Sequence, residues 1–375
     1  MTSSAQILVT LASRPQRRIG AAIMIIDSHL PASSDRGEKI FRLSTVLARH
    51  NAEAVRLTSA ASLAWLLDGA RTAIPTGGPP VFSARVDRDG TVVVRAPKNE
   101  AFRLAEEELS ACRIDVVDWH APFDEVAGDE IAESRIDIEL RAARAQLLPV
   151  ERDRYRTLGQ DAATAMTQAL LTARPAHSEH ALAAAVASAM YERAIEPAVV
   201  LVAGESRSGV QHPLPTAAPL GRRAMAVATA RRHGLHLSLS RWVGVGGTAP
   251  DAAIYEVEAD AWEASRPGRR LGDVLTDIGI SYARNGMDPD GASGWRLHHQ
   301  GGPTGYAGRD PKATPSSADI VVNGGAFAWN PWVPGAKVED TVVIDGGHVD
   351  ILSTDPAWPT IAVRGRHRPA MLDLS

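Results

Sequence analysis

The chain has 375 residues, of which 45% are hydrophobic and 22% are charged, and its formal net charge is −4. These proportions are typical of a soluble globular protein and exclude long disordered stretches. The small negative charge does not provide the basic surface of a nucleic-acid-binding protein, so we expect no nucleic-acid partner. Because domains usually contain roughly 100 to 200 residues, the length predicts two domains.

Cys112 is the sole cysteine, which excludes an intramolecular disulfide framework and a thiolate-rich metal site. We predict that it is a small packed residue and not a catalytic thiol. The longest apolar run near the N-terminus, residues 21–26, is far shorter than the roughly 18 residues that a membrane span needs. No signal-peptide pattern precedes it. We therefore expect a protein of the reducing cytoplasm with no membrane partner.

The N-terminal third alternates between short apolar strands and amphipathic helices. Strands are predicted at residues 7–11, 22–26, 54–57, 81–86, 91–96 and 114–119, and helices at 36–50, 59–67 and 99–110. Ser59 and Asn99 are the predicted N-caps of the second and third helices. Asp89-Gly90 predicts a hairpin turn between two strands. This alternation is typical of a compact α/β domain.

The rest of the chain contains longer elements. Residues 122–150 lack a clear strand and are interpreted as a linker that enters a helix. Helices are predicted at 151–173, 178–195, 251–265 and 271–282, and strands at 198–203, 223–230, 234–243, 326–329 and 341–344. Ser178 is the predicted N-cap of the second of these helices.

The segment from His298 to Pro311 reads His-His-Gln-Gly-Gly-Pro-Thr-Gly-Tyr-Ala-Gly-Arg-Asp-Pro. Its glycines and prolines suit neither a buried strand nor a helix interior, so we predict a shaped loop. Its histidines and arginine supply titratable groups and a fixed cation for a ligand. The alternative is a glycine-rich connection whose polar residues face solvent.

Several segments of the C-terminal half resemble motifs of the creatinase and methionine/proline aminopeptidase group, whose fold is called the pita-bread fold. These segments are Gln211-His212-Pro213, His298-His299-Gln300-Gly301-Gly302, Trp329-Asn330-Pro331 and Lys337-Val338-Glu339-Asp340-Thr341. The resemblance implies a creatinase-like α/β domain at residues 1–145 and an α+β pita-bread domain at 146–375. It also implies a homodimer.

Peptidases of this group bind two divalent ions through a pair of Asp, one His and a pair of Glu. In this chain Val227 and Ser238 occupy the positions of the two Asp, and Asn330 that of the first Glu. Only His299 and Glu339 match the pattern. The lost carboxylates would be needed to balance two dications, so we expect no metal and no cofactor. Creatinase, which works without metal, also lacks the two Asp but keeps both Glu.

His212 and His299 are expected to converge in one cavity and to act as catalytic acid and base, because a neutral imidazole can accept a proton and return it to a leaving nitrogen. Glu339 could orient one imidazole or pair with a cationic substrate group. The predicted substrate-binding residues are Asn330, Arg309, Tyr306, His236 and Ser238. Arg309 suits a substrate carboxylate, although it could instead bind carbonyls of its own loop, and Tyr306 could simply pack.

Three functional hypotheses follow. The first is a metal-independent enzyme that acts at a C–N bond of a small amino-acid-like, guanidino or amide substrate, by hydrolysis or elimination. The second is an Xaa-Pro type metallopeptidase with an atypical metal site. The third is a non-catalytic binding protein, because one fold can serve several functions. The retained histidines favour the first hypothesis, with a small molecule as the partner.

Overall fold

A computed structural model describes residues 24–28, 30–288 and 294–375. The internal contacts divide the chain into two compact units, one ending at Arg144 and the other beginning at Ala145. The strand predicted at residues 7–11 lies outside the described residues. No helix within the described ranges has the length and apolar character required to cross a lipid bilayer.

The N-terminal unit is built on a mixed six-stranded sheet with the order β1-β5-β4-β3-β2-β6. Its strands are β1 (Met24–Asp27), β2 (Ala54–Leu57), β3 (Ser83–Asp87), β4 (Val92–Pro97), β5 (Arg113–Val117) and β6 (Glu130–Ala132). Its helices are α1 (Arg36–Arg49), α2 (Ala60–Leu66), α3 (Lys98–Arg103) and α4 (Asp137–Ala145). Strand pairs β2–β6 and β4–β5 are parallel, and the other pairs are antiparallel.

Local sequence signals explain much of this unit. The Ser59 hydroxyl accepts a hydrogen bond from the backbone N–H of Ser62 at 3.1 Å, so the predicted cap of α2 is confirmed. The predicted hairpin is also confirmed, because β3 and β4 pair across Asp89-Gly90 and Gly90 has a φ of +92°. Cys112 is buried as expected, and burial raises the pKa of its thiol.

Two predictions for this unit are wrong. Asn99 is not an N-cap, because α3 begins at Lys98 directly after Pro97, whose extended backbone takes the cap position. The region interpreted as a linker contains β6, which pairs in parallel with β2 at the edge of the sheet. A three-residue strand has too little periodicity to be read from sequence, and its partner lies far away along the chain.

The C-terminal unit contains helices α5 to α8 and two four-stranded sheets. Its helices are α5 (Pro149–Leu171), α6 (Glu179–Tyr191), α7 (Ala253–Ala264) and α8 (Leu271–Arg284). The first sheet has the order β18-β9-β8-β7, formed by β7 (Glu196–Gly204), β8 (Arg223–Arg232), β9 (Leu235–Gly244) and β18 (Leu372–Asp373). The second has the order β10-β11-β14-β15, formed by β10 (Gly301–Thr304), β11 (Gly325–Trp329), β14 (Asp340–Asp345) and β15 (His348–Ile351). Separate hairpins are formed by β12 (Trp332–Val333) with β13 (Ala336–Lys337) and by β16 (Thr360–Val363) with β17 (Arg366–Pro369).

The two sheets of this unit are joined where β9 meets the start of β14. The Ser240 N–H donates to the carbonyl of Glu339 at 2.8 Å, and the Ser238 N–H donates to the hydroxyl of Thr341 at 2.8 Å. Helices α7 and α8 cover β11 and β14 with a core that includes Trp262. These contacts bring the side chains of β9 and of the segment before β14 into one region.

The glycine-rich segment is not a loop throughout, which corrects the prediction. Gly301–Thr304 forms the buried strand β10, paired antiparallel with β11. A Cβ on Gly301 would lie 2.0 Å from the carbonyl oxygen of Ala328, and the φ of Gly301 is +97°. Glycine is therefore needed at position 301, both for the close approach of β10 to β11 and for the left-handed backbone. The glycines that made a strand look unfavourable in the sequence are what allow this strand to form.

Candidate functional site

Three imidazoles gather in the C-terminal unit. His212 lies in the loop after β7, and His298 and His299 lie directly before β10. The rings of His298 and His299 stack with centroids 4.4 Å apart, and the His212 ring lies 4.8 Å from the first and 5.3 Å from the second. The Nε2 atoms of His212 and His298 are 3.1 Å apart, a hydrogen-bonding distance in which one ring donates. We call these three residues the histidine cluster.

The histidine cluster is uncharged at neutral pH. Burial, supplemented by the positive charge of Lys337, lowers the pKa of His298 to about 3. Burial and the neighbouring His298 ring lower the pKa of His299 to about 3 as well. The pKa of His212 is also lowered, first by burial and then by Lys337, although its residue is exposed overall. Neutral imidazoles can accept protons or hydrogen bonds.

Helix α8 and the β12–β13 hairpin hold His298 in place. The side-chain amide of Gln300 donates to the carbonyl of His298 at 2.6 Å, and its oxygen accepts from the Tyr282 hydroxyl of α8 at 2.8 Å. The Trp332 ring of β12 lies 6.2 Å from the His298 ring. Buried hydrogen bonds on the adjacent backbone therefore fix the position of the ring.

A second group, which we call the Glu339 cluster, consists of Glu339, Arg309 and Lys337. The carboxylate of Glu339 is buried, and its two oxygens contact Nη2 of Arg309 at 2.5 Å and Nζ of Lys337 at 3.2 Å. Burial raises the pKa of Glu339, but Lys337 and Arg309 outweigh burial and leave this pKa below its usual value. The carboxylate is therefore ionised at neutral pH, and two cations share it.

The guanidinium of Arg309 has partners within the protein. Besides the ion pair, Nη1 of Arg309 donates to the carbonyl of Gly308 and to the Ser238 hydroxyl, the latter at 3.3 Å. Ser238 also shares a hydrogen bond with the hydroxyl of Thr229 at 3.0 Å. The alternative that Arg309 binds a carbonyl of its own loop is thus present alongside its position next to Glu339.

Asn330 follows β11 and is buried beside the histidine segment. Its backbone N–H donates to the carbonyl of Gln300 at 3.0 Å. Its side-chain Oδ1 is buried and has no hydrogen-bond partner within the described residues. Because buried polar atoms are normally paired, this acceptor is available to a ligand donor.

Two predicted substrate-binding residues lie in packed surroundings. Tyr306 is buried, and its hydroxyl donates to the carboxylate of Glu151 at 2.8 Å. The ring of His236 lies 3.3 Å from the carbonyl of Gly305, and burial lowers its pKa to about 4. These surroundings are typical of packed residues, and the substrate-binding roles of Tyr306 and His236 stay predictions.

The described residues do not fit the dinuclear metal group of the peptidases that the sequence resembles. Val227 is apolar, and the hydroxyl of Ser238 and the amide of Asn330 cannot supply negative charge. The carboxylate of Glu339 meets Lys337 and Arg309, which are cations of the protein itself. No reaction step is assigned to such a metal pair.

Sequence reasoning missed two residues of this region. His298 was seen only as part of the glycine-rich segment, although the adjacent pair of histidines was a signal for it. Lys337 lies two residues before Glu339, a spacing that directs two side chains to the same face where the backbone is extended. This spacing could have identified Lys337, because a buried carboxylate needs a cation.

No protein-family model and no curated protein matches this sequence. Solved structures do match. The prolidase from Pyrococcus horikoshii OT3 is 16% identical with a TM-score of 0.69, and the match covers 84% of this chain and 98% of that one. The dipeptidase PepE from Mycobacterium ulcerans is 17% identical with a TM-score of 0.68, covering 88% and 98%.

The same architecture also occurs in a protein whose name is not that of a peptidase. The N-terminal domain of the FACT complex subunit SPT16 from Cicer arietinum is 12% identical with a TM-score of 0.59, and the match covers 86% of this chain and 97% of that one. At such low identities, the structural matches establish a shared fold and do not establish a shared activity. The predicted resemblance and fold class are confirmed: the chain has the two-domain α/β and pita-bread fold of the prolidases and aminopeptidase P.

Proposed function

We propose that this chain is an enzyme that acts at a C–N bond of a small amino-acid-like, guanidino or amide substrate without a dinuclear metal centre. The observation that carries the proposal is the histidine cluster, where His212 and His299 lie within 5.3 Å of one another between ring centroids. A positioned imidazole typically contributes about 10²- to 10⁴-fold to the rate of proton transfer.

The three rings differ in the roles that their surroundings favour. His212 is exposed and can meet substrate or water from solvent, so we assign it the removal of a proton from the attacking water and the return of that proton to the leaving nitrogen. His298 shares a hydrogen bond with His212 at 3.1 Å and orients that ring. His299, with a pKa of about 3, is too weak a base to act alone at neutral pH and suits a hydrogen bond to the substrate.

The Glu339 cluster complements this chemistry. In hydrolysis, water adds to the carbon of the C–N bond and the nitrogen leaves after taking a proton, while negative charge develops on the attacked group. The cations Arg309 and Lys337 lie in the same buried network and can stabilise that charge. Elimination across the C–N bond would use the same imidazole groups. The products found in the substrate screen distinguish elimination from hydrolysis.

The test is a substrate screen with and without a chelator. Guanidino acids, amino-acid amides and Xaa-Pro dipeptides are incubated with the full chain, and the products are identified by mass spectrometry. We expect turnover that resists the chelator and falls by about 10²- to 10⁴-fold in His212→Ala. His299→Ala loses a hydrogen bond to the substrate, so its turnover falls by a smaller factor. The control variant His348→Ala changes an exposed histidine of β15 and leaves turnover unchanged.

The metallopeptidase and the binding-protein hypotheses predict different results of this screen. Loss of activity to a chelator, with about two divalent ions per chain, would contradict the proposal and favour the metallopeptidase. Absence of turnover across the screen would favour a binding protein, because one fold can serve several functions. We also propose the homodimer and the cytoplasmic location expected from the sequence.

A further inference from the structure

The histidine cluster has the spacing of a set of metal ligands. Each of its rings offers one nitrogen, and these three nitrogens lie within 4.8 Å of one another. In a tetrahedral zinc site the nitrogens lie about 2.0–2.1 Å from the ion, which places them about 3.3 Å apart. Nε2 of His212 and Nε2 of His298 are already 3.1 Å apart. A small rotation of the rings therefore closes the set around one ion.

The rings are in the protonation state that a metal ion requires, because an ion binds neutral imidazole. Burial lowers the pKa of His298 and of His299 to about 3, and burial also lowers the pKa of His212. Nδ1 of His298 and Nδ1 of His299 are buried and have no hydrogen-bond partner among the described residues. Because buried polar atoms are normally paired, the two rings have unused bonding capacity. The exposed position of His212 gives an ion access from solvent.

The neighbouring charges determine how many ions the cluster can hold. After burial, Lys337 and Arg309 lower pKa values within the cluster, and Glu339 raises the pKa of every ring. Charges that lower the pKa of a ring also disfavour a metal cation beside it, whereas Glu339 favours one. A single carboxylate against two basic groups does not balance a pair of dications. We therefore expect one ion, bound more weakly than in a site with carboxylate ligands.

We propose that the histidine cluster binds one divalent transition-metal ion of the class of Zn²⁺, and that this ion inhibits the enzyme. Three nitrogen ligands favour Zn²⁺ or Co²⁺ over Mg²⁺, which prefers oxygen. The ion occupies the ring nitrogen with which His212 accepts a proton, so turnover stops while the ion is held. The inhibition rests on the proposed function, whereas the binding of the ion does not.

This site differs from the dinuclear centre of the peptidases that the sequence resembles. It holds one ion instead of two, and its ligands include His212 and His298, which match none of the five ligand positions of that pattern. The inference also departs from the expectation of no metal that the sequence gave rise to, because the convergence of three rings appears only in the folded chain.

The experiment measures metal binding without turnover. The full chain is treated with a chelator, dialysed, and titrated by calorimetry with Zn²⁺ and separately with Mg²⁺. We expect one Zn²⁺ per chain at the tightest site and no binding of Mg²⁺ at the same concentrations. Both His212→Ala, at an exposed position, and His298→Gln should weaken the binding of Zn²⁺ at least tenfold. The control His348→Gln changes an exposed histidine of β15 and should keep the affinity of the unchanged protein.

A second measurement tests inhibition with a substrate from the screen. One equivalent of Zn²⁺ should lower turnover at least tenfold, and a chelator should restore it. Turnover that is unchanged or raised by the bound ion would overturn the inhibition.

The binding site itself has separate contrary results. Absence of Zn²⁺ binding, or equal binding of Mg²⁺, would overturn it without relying on any variant. Zn²⁺ affinity that survives both His212→Ala and His298→Gln would place the ion elsewhere. If turnover is found but Zn²⁺ does not bind, the inference fails and the proposed function stands. If Zn²⁺ binds at the cluster but the screen finds no turnover, the metal site stands and the proposed catalysis fails together with its inhibition.

Discussion

Two buried charge networks begin at consecutive residues, Glu339 and Asp340, and they differ in balance. The Asp340 network consists of the acids Asp340 and Glu258 with the cations Arg241 and Arg368. Asp340 contacts Arg241 at 3.0 Å and Arg368 at 2.7 Å, and Arg368 also pairs with Glu258. Two positive charges therefore meet two acids, whereas the Glu339 cluster has two positive charges and one acid.

The surroundings of the two networks also differ. Arg368 also lies over the Trp262 ring at 4.6 Å, so the Asp340 network is anchored in the core. Burial raises the pKa of Glu258 to about 7, so the charges of this network balance above neutral pH. The Glu339 cluster lies instead beside the titratable rings of His298 and His299, while each network keeps one buried guanidinium nitrogen without a partner among the described residues, Nε of Arg309 and Nη1 of Arg368. Removing a cation should therefore harm the first network and spare the second.

The largest expected effect is that of Arg368→Met. This change leaves Asp340 and Glu258 buried with too few cations, and breaking a buried ion pair on one side typically costs about 3–5 kcal/mol. We expect the free energy of unfolding, measured by urea denaturation, to fall by about that amount.

The matched control is Arg156→Met. Arg156 also pairs with two acids, Asp153 and Asp350, but its side chain is 52% exposed. An exposed pair contributes at most about 1 kcal/mol, so this variant should unfold close to the unchanged protein. Equal losses in Arg156→Met and Arg368→Met would show that the Asp340 network is not structural.

A smaller effect is expected from Gly301→Ala, which tests whether the histidines depend on the sheet that also carries Asp340. The new Cβ would meet the carbonyl of Ala328 at 2.0 Å, so β10 must move away from β11. Strain and overpacking predict a loss of about 1–3 kcal/mol in the free energy of unfolding.

Gly308→Ala is the control for this change, because its added Cβ meets no atom within 4 Å. It should be close to neutral in a thermal melt. A tolerated Gly301→Ala, equal to Gly308→Ala, would contradict the close approach of β10 to β11 that places the histidine cluster.

The pH dependence of stability gives a still smaller effect. The folded chain keeps His298 neutral down to about pH 3, whereas an unfolded histidine binds a proton near its ordinary pKa of 6.5. The contribution of His298 is therefore complete above pH 6.5 and is lost as the pH falls from 6.5 towards 3. One such group changes the free energy of unfolding by at most about 1.4 kcal/mol per pH unit.

We expect His298→Gln to reduce this slope by less than that limit, because the three rings are coupled. Urea unfolding at several pH values between 4 and 7 measures it. His348→Gln, at an exposed position, should keep the slope of the unchanged protein. Identical slopes in His298→Gln and the unchanged protein would contradict a neutral, buried His298.

Helix caps could be predicted from the sequence, because they depend on interactions between neighbouring residues. The Ser178 hydroxyl caps α6 by accepting from the backbone N–H of Ala181 at 3.1 Å, as predicted. Such signals act within a few residues and can be read directly. The strand β10 could not be predicted, because the need for glycine at position 301 comes from the close approach of the Ala328 carbonyl. That contact exists only in the folded chain.

The candidate site was predictable to a similar extent. The resemblance identified His212, His299 and Glu339, because their motifs are short and continuous. The pairing of Glu339 with Arg309 joins residues on different segments, so it could not be read from spacing. The low pKa of His299 results from burial, which only the folded chain provides.

Urea denaturation of Lys337→Met beside Arg368→Met tests most directly whether the two charge networks differ in their contribution to stability. Burial lowers the pKa of Lys337, the second cation of the Glu339 cluster, and its removal leaves Arg309 and Glu339 as a balanced pair. We predict that Lys337→Met is within about 1 kcal/mol of the unchanged protein, or more stable, because a buried unpaired charge is unfavourable. A loss of about 3–5 kcal/mol, equal to that of Arg368→Met, would contradict this difference and show that the Glu339 cluster is a second structural network.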